Sequence, residues 1–113
     1  MSARREAVLW LASRVSAAVL ALCVVVHLVT MIVAVCGGLT AAEILARTRG
    51  SITWAAFYGV FVLAVAVHAP LGLRTVVGEL ARREGAWLDA LMAVFALLLV
   101  IGGMHAVVAV TMT

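Results

Sequence analysis

Residues 15–42 read VSAAVLALCVVVHLVTMIVAVCGGLTAA and contain no Asp, Glu, Lys or Arg. A helix needs about 20 consecutive apolar residues to cross roughly 30 Å of hydrocarbon. This stretch is longer than that, and so are two others free of the same four residues, Gly50–Leu73 and Ala90–Thr113. Spanning strands would show apolar residues at every second position, and three strands could not close a barrel. The three stretches therefore predict three transmembrane helices.

Composition leads to the same conclusion. Hydrophobic residues make up 67% of the 113 and charged residues only 12%, where a soluble domain carries about 25% charged residues. A chain this short has little interior, so lipid must solvate much of its apolar surface. The basic flank Ser2-Ala3-Arg4-Arg5 could open a cleaved signal, but the apolar stretch behind it exceeds the roughly 7–15 residues of such a segment. The run Val33-Ala34-Val35-Cys36 also lacks the small residue expected before a lipidated cysteine. The first stretch reads as a retained helix.

All eight basic residues are Arg. Arg4, Arg5, Arg14, Arg74, Arg82 and Arg83 flank one end of the helices, and only Arg47 and Arg49 the other. Under the positive-inside rule the larger group is cytoplasmic, which places the N-terminus inside and the C-terminus outside. The net charge of +3 follows from this topology and does not point to nucleic acid.

The helices are predicted over about 6–36, 52–80 and 86–110, with Trp10, Trp54 and Tyr58 at headgroup level. Gly37-Gly38 ends the first, and the charged turn Ala81–Gly85 joins the second to the third. Between the first two, Thr40-Ala41-Ala42-Glu43 has the capping-box pattern, so a short interfacial helix is predicted to end near Gly50. Repeats and linkers are absent, and residues 1–113 form one domain. The expected fold is an all-α, integral membrane three-helix bundle. Small residues at Ser13, Ala17, Ala21, Ala64, Gly72, Gly102 and Ala106 would let the helices approach closely.

An ionisable residue within lipid is costly and is a functional candidate by default. Each helix has one such histidine: His27, His68 and His105. His68 lies six residues before Arg74, about 9 Å from the cytoplasmic surface, whereas His27 is about 20 Å from Arg14 and His105 about 27 Å from Trp87. One histidine is therefore inner and two are outer, as expected of redox centres stacked across a membrane. Zinc would want four ligands, and Cys23 one turn before His27 is a weak pair. Covalent haem needs a Cys-x-x-Cys-His motif, which is absent. Non-covalent haem fits: imidazole binds iron, apolar side chains pack the porphyrin, and surface arginines pair with propionates. Proton relay is the competing use, and it usually involves buried acids.

The segment His68-Ala69-Pro70-Leu71-Gly72-Leu73-Arg74-Thr75-Val76-Val77-Gly78-Glu79 resembles the signature of complex II membrane anchors. In the cytochrome b subunit of succinate dehydrogenase and fumarate reductase, a second-helix His is followed by Gly, Arg and an acid at this spacing. The step Arg14-Val15-Ser16 matches the other family mark, at the opening of helix one. The resemblance implies that His68 is an axial ligand of haem b. It also implies that Arg14 lies near the haem propionates and the quinone site; Arg74, an arginine near the surface, is a second candidate for a propionate. Family members commonly carry His where Ser13 stands and a quinone-contacting Ser where Trp10 stands. That leaves Ser13 or Ser16 to supply a hydroxyl to the quinone.

In two-haem members the first-helix His serves the outer haem, which fits His27. Its partner would be a histidine of another subunit or His105; a single haem is the remaining alternative. The implied partners are a flavoprotein, an iron–sulfur protein and a second small anchor, in a bacterial inner membrane. The chain itself has no nucleophile–base constellation and no phosphate loop. Two other readings stay open: a cytochrome b anchor of another quinone-linked enzyme, and a haem-free assembly or transport subunit. For orientation, a reporter enzyme active only outside the cytoplasm is expected to work when fused after Thr113 and to be silent before Met1. The reverse pattern would refute the topology.

Overall fold

The computed structural model describes residues 2–82 and 85–112. Arg83 and Glu84 of the charged turn, and Thr113 at the end of the third stretch, lie outside the described residues. Four helices follow in order: α1 (Ala3–Cys36), α2 (Ala41–Thr48), α3 (Ile52–Ala81) and α4 (Ala86–Thr111). Three of them, α1, α3 and α4, are long and apolar enough to cross a membrane. The protein is a three-helix membrane bundle with its long axis at 50 Å, close to the length of the 34-residue α1 at about 1.5 Å per residue.

The ends of the elements follow from local chemistry. Helix α1 begins three residues before the predicted Glu6 because the Ser2 hydroxyl accepts the Arg5 amide and caps it. It stops at Gly37, and Gly38 takes a left-handed φ of +67° that a side chain would disfavour. The predicted capping box opens α2: Thr40 Oγ1 accepts from the Glu43 amide, and Glu43 Oε2 accepts from the Thr40 amide.

Helix α3 is the middle of the bundle. It packs against both α1 and α4, which scarcely touch each other. Its α1 side carries Ala64 and His68, and its α4 side carries Val62, Ala66 and Pro70. Pro70 has no amide to donate within the helix, and it is buried in the bundle, where neighbouring helices tolerate such a break. The Val62 side chain packs directly onto Gly103 of α4, where an added Cβ would lie 2.5 Å from Val62 Cγ1. The small-residue pattern pointed to Gly102, but a Cβ there would meet open space. Gly103, one residue and about 100° further round, is the contact.

At the outer end α2 straps down the end of α4. The last four carbonyls of any helix lack an intrahelical donor. Here Thr48 Oγ1 donates to the Val110 carbonyl at 2.6 Å and the Gly50 amide to the Thr111 carbonyl at 2.7 Å. Both threonines, Thr48 and Thr111, are buried. Gly103→Ala is expected to destabilise the α3–α4 pair by about 1–3 kcal/mol, the usual cost of overpacking. Adding Val62→Ala should recover most of it, as read by thermal unfolding in detergent. Additive losses would show that Val62 and Gly103 do not pack on each other.

Candidate functional site

Two groups of polar side chains sit in the inner half of the bundle. The first lies in the seam between α1 and α3. Ser16 is only 6% exposed, and its hydroxyl donates to the Ser13 carbonyl at 3.1 Å. His68 Nδ1 stands 3.5 Å from the same Ser16 Oγ. A serine hydroxyl has one proton. With that proton on Ser13, the oxygen presents lone pairs to the ring, an arrangement that suits the tautomer with its hydrogen on Nδ1. In that tautomer Nε2 keeps its lone pair. Histidines that bind metals are commonly held in this way, with the second nitrogen fixed by a neighbouring acceptor.

The second group is an ionic triad. Arg5 Nη2 of α1 and Arg74 Nε of α3 both donate to Asp89 Oδ1 of α4, at 2.7 Å and 3.2 Å. One carboxylate thus ties three helices at one end. The Arg74 side chain is 13% exposed, against 46% for Arg5. Arg74 lines a cavity of about 300 Å³ between α1 and α3, together with Glu6, Trp10, Ser13, Gly72 and Thr75. Gly72, whose added Cβ would meet nothing, leaves room beside the His68 turn.

The outer half is apolar. A cleft of about 620 Å³ runs across α3 between α1 and α4, closed at its end by Ile44, Leu45 and Thr48 of α2. His27 lines it, edge-on to Tyr58 and Phe61 with ring centroids 6.0 and 5.8 Å away. Trp54 and Phe57 extend this aromatic cluster along α3.

A family model, the succinate dehydrogenase/fumarate reductase transmembrane subunit, matches residues 1–104. The chain belongs to that family. No curated protein and no solved structure matches it. As a succinate dehydrogenase/fumarate reductase transmembrane subunit, it is a multi-pass membrane protein that associates with the soluble subunits of complex II.

On this transmembrane subunit the residues singled out from sequence fall into separate places. His68 and Ser16 come together, with the Ser13 backbone carbonyl accepting from the Ser16 hydroxyl. Arg74 lies one to two turns beyond His68, in the cavity Ser13 also lines. Arg14 does not join them: it is exposed, about 200° round α1 from Ser16, with its guanidinium carbon 5.5 Å from the Trp10 ring centroid. Glu79 is exposed at the end of α3.

His27 and His105 are level but not facing. His27 abuts Tyr58 and Phe61, and Gly103, two residues before His105, abuts Val62. Two residues turn a helix by about 200°, so His105 points away from α3, and it is exposed. Among the described residues no group of three or more His, Cys, Asp or Glu is placed to hold a metal ion.

Asp89 escaped the sequence reading because it borders the third charge-free stretch. A lone acid in the first turn of α4, facing an end rich in arginine, was the available signal. Ser16→Ala should remove the Nδ1 acceptor, an interaction worth about 0.5–1.5 kcal/mol. The ¹⁵N resonances of His68 would then shift several-fold in population toward the Nε2–H tautomer, with recovery in Ser16→Thr. Unchanged resonances in the Ala variant would show that Ser16 does not set the ring.

Proposed function

We propose that this chain is the cytochrome b anchor of a succinate:quinone oxidoreductase, holding haem b on His68 and forming part of a quinone site. The arrangement at His68 supports this reading best. An imidazole within the membrane, half-buried, has its Nδ1 turned to Ser16 and its Nε2 left as a ligand. The neighbouring cavity offers a porphyrin edge apolar contact from Leu9, Trp10 and Leu71, polar partners in Ser13 and Arg74, and an open position at Gly72. When bound, haem supplies a one-electron relay between the iron–sulfur subunit and quinone.

The inner cavity is the quinone end of this reading. Its cytoplasmic position rests on the positive-inside assignment. The soluble subunits oxidise succinate to fumarate, releasing two electrons and two protons; the quinone takes up two of each to become quinol. Negative charge grows on the quinone oxygens as electrons arrive. A guanidinium and a hydroxyl held beside them, from Arg74 and Ser13, stabilise that charge. Arg74 spends Nε on Asp89, so its terminal Nη groups remain for a quinone oxygen or a haem propionate. Ser16 is buried and committed to His68, which leaves Ser13 as the hydroxyl for the quinone. Arg14 acts at one remove, through Trp10 in the cavity wall. In a fumarate reductase the same parts carry electrons the other way.

His27 suits a second, outer haem, since it borders the apolar cleft. Its counterpart would come from a second anchor, because His105 faces away from α3. The partners are then a flavoprotein, an iron–sulfur protein and that second anchor, in a bacterial inner membrane. In the purified complex, His68→Ala should abolish the inner b-type haem signal in the visible spectrum. His27→Ala should remove only an outer one. A spectrum and haem content unchanged by His68→Ala would defeat the assignment.

A further inference from the structure

We infer that Asp89 is a positioning residue for the quinone site: its carboxylate grips Arg74 by Nε and so aims the rest of that guanidinium into the inner cavity. This rests on the reading of that cavity as the quinone end of the chain. Nothing in the complex II signature of this sequence involves α4.

Asp89 Oδ1 takes two donors from two different helices. The donors differ in what else they touch. Arg74 lines the cavity with Ser13 and Trp10, whereas Arg5 is not part of its wall and is nearly half exposed. The atom used on Arg74 is Nε, at 3.2 Å. A guanidinium is planar, and its N–H groups are fixed relative to one another. Holding Nε therefore sets the direction of both Nη groups, which an unheld arginine side chain would spread over many rotamers. Preorganised donors lose little when charge develops on the ligand, and they act most strongly where water is scarce. The α4 helix thus contributes to a site whose walls come from α1 and α3.

A purely structural alternative is that Asp89 only ties helix ends together. Arg5 separates the two roles. It shares the same oxygen and makes the shorter contact, so removing it weakens the tie but leaves the Nε grip intact.

The experiment uses the whole complex in membranes, with succinate oxidation followed in two ways. Reduction of a soluble dye that bypasses the anchor reports assembly. Reduction of short-chain ubiquinone and menaquinone analogues reports the site. Asp89→Asn should raise the quinone KM about tenfold, the loss expected for one charge-assisted contact, with a smaller fall in kcat and dye reduction retained. Asp89→Glu should recover most of the affinity, and Arg5→Gln should stay within about twofold of the parent. Arg74→Gln should match or exceed the Asn variant, and combining the two should add little.

An equal KM rise in Arg5→Gln and Asp89→Asn would overturn the positioning role in favour of the helix tie. So would an unchanged KM in Asp89→Asn when Arg74→Gln raises it. If Arg74→Gln leaves quinone kinetics untouched, the cavity is not the quinone site, and both readings fall. Should Asp89→Asn not assemble, Arg74→Lys asks the same question, because an ammonium keeps the charge but lacks the Nε–H that Asp89 holds. Its KM should rise similarly, and an unchanged value would overturn the inference.

Discussion

Helix α3 packs α1 against one side and α4 against the other, and the two outer helices barely meet. The placement of the polar groups follows from this layout. A residue on α3 that faces α1 can share a hydrogen bond across that seam, as His68 does with Ser16. A residue that faces α4 can seat its side chain on a glycine there, as Val62 does at Gly103. The gap left between α1 and α4 becomes the apolar cleft. With so little contact between the outer helices along their length, the charges at their ends have more to do. Arg5 and Asp89 supply a direct link between α1 and α4, and Arg74 brings the middle helix into it.

The spans were legible because the bilayer imposes a length and forbids charge over that length. The α2 helix was legible because Thr40 and Glu43 satisfy backbone amides by a rule that needs only local sequence. The side of each helix that faces inward was not legible. In water, an apolar stripe marks the buried face; in lipid, the exterior is as apolar as the interior, so the stripe vanishes. Gly102 and Gly103 are equal on paper, and only packing distinguishes them. His27 and His105 likewise appear as a matched pair by depth, yet one lies beside the cleft and the other faces outward.

The inner site shows the same division. His68 was evident as a titratable residue in hydrocarbon, within a spaced motif. Ser16 was evident as part of the Arg14-Val15-Ser16 step, but its hydrogen bond to the histidine depends on how α1 is rotated against α3. Arg14, the more conspicuous residue of that step, turns outward and packs over Trp10. Two arginines from different helices meet at the Asp89 carboxylate of a third, which no reading of local patterns could assemble. Long-range polar contacts of this kind are settled by tertiary packing.

The strap formed by α2 bears on how the outer cleft can be reached. Thr48 and Gly50 fasten it to the last carbonyls of α4, so Ile44 and Leu45 close the cleft at its outer end. A ligand that pairs with His27 across the cleft would therefore have to enter from the side, between α1 and α4, and not past α2.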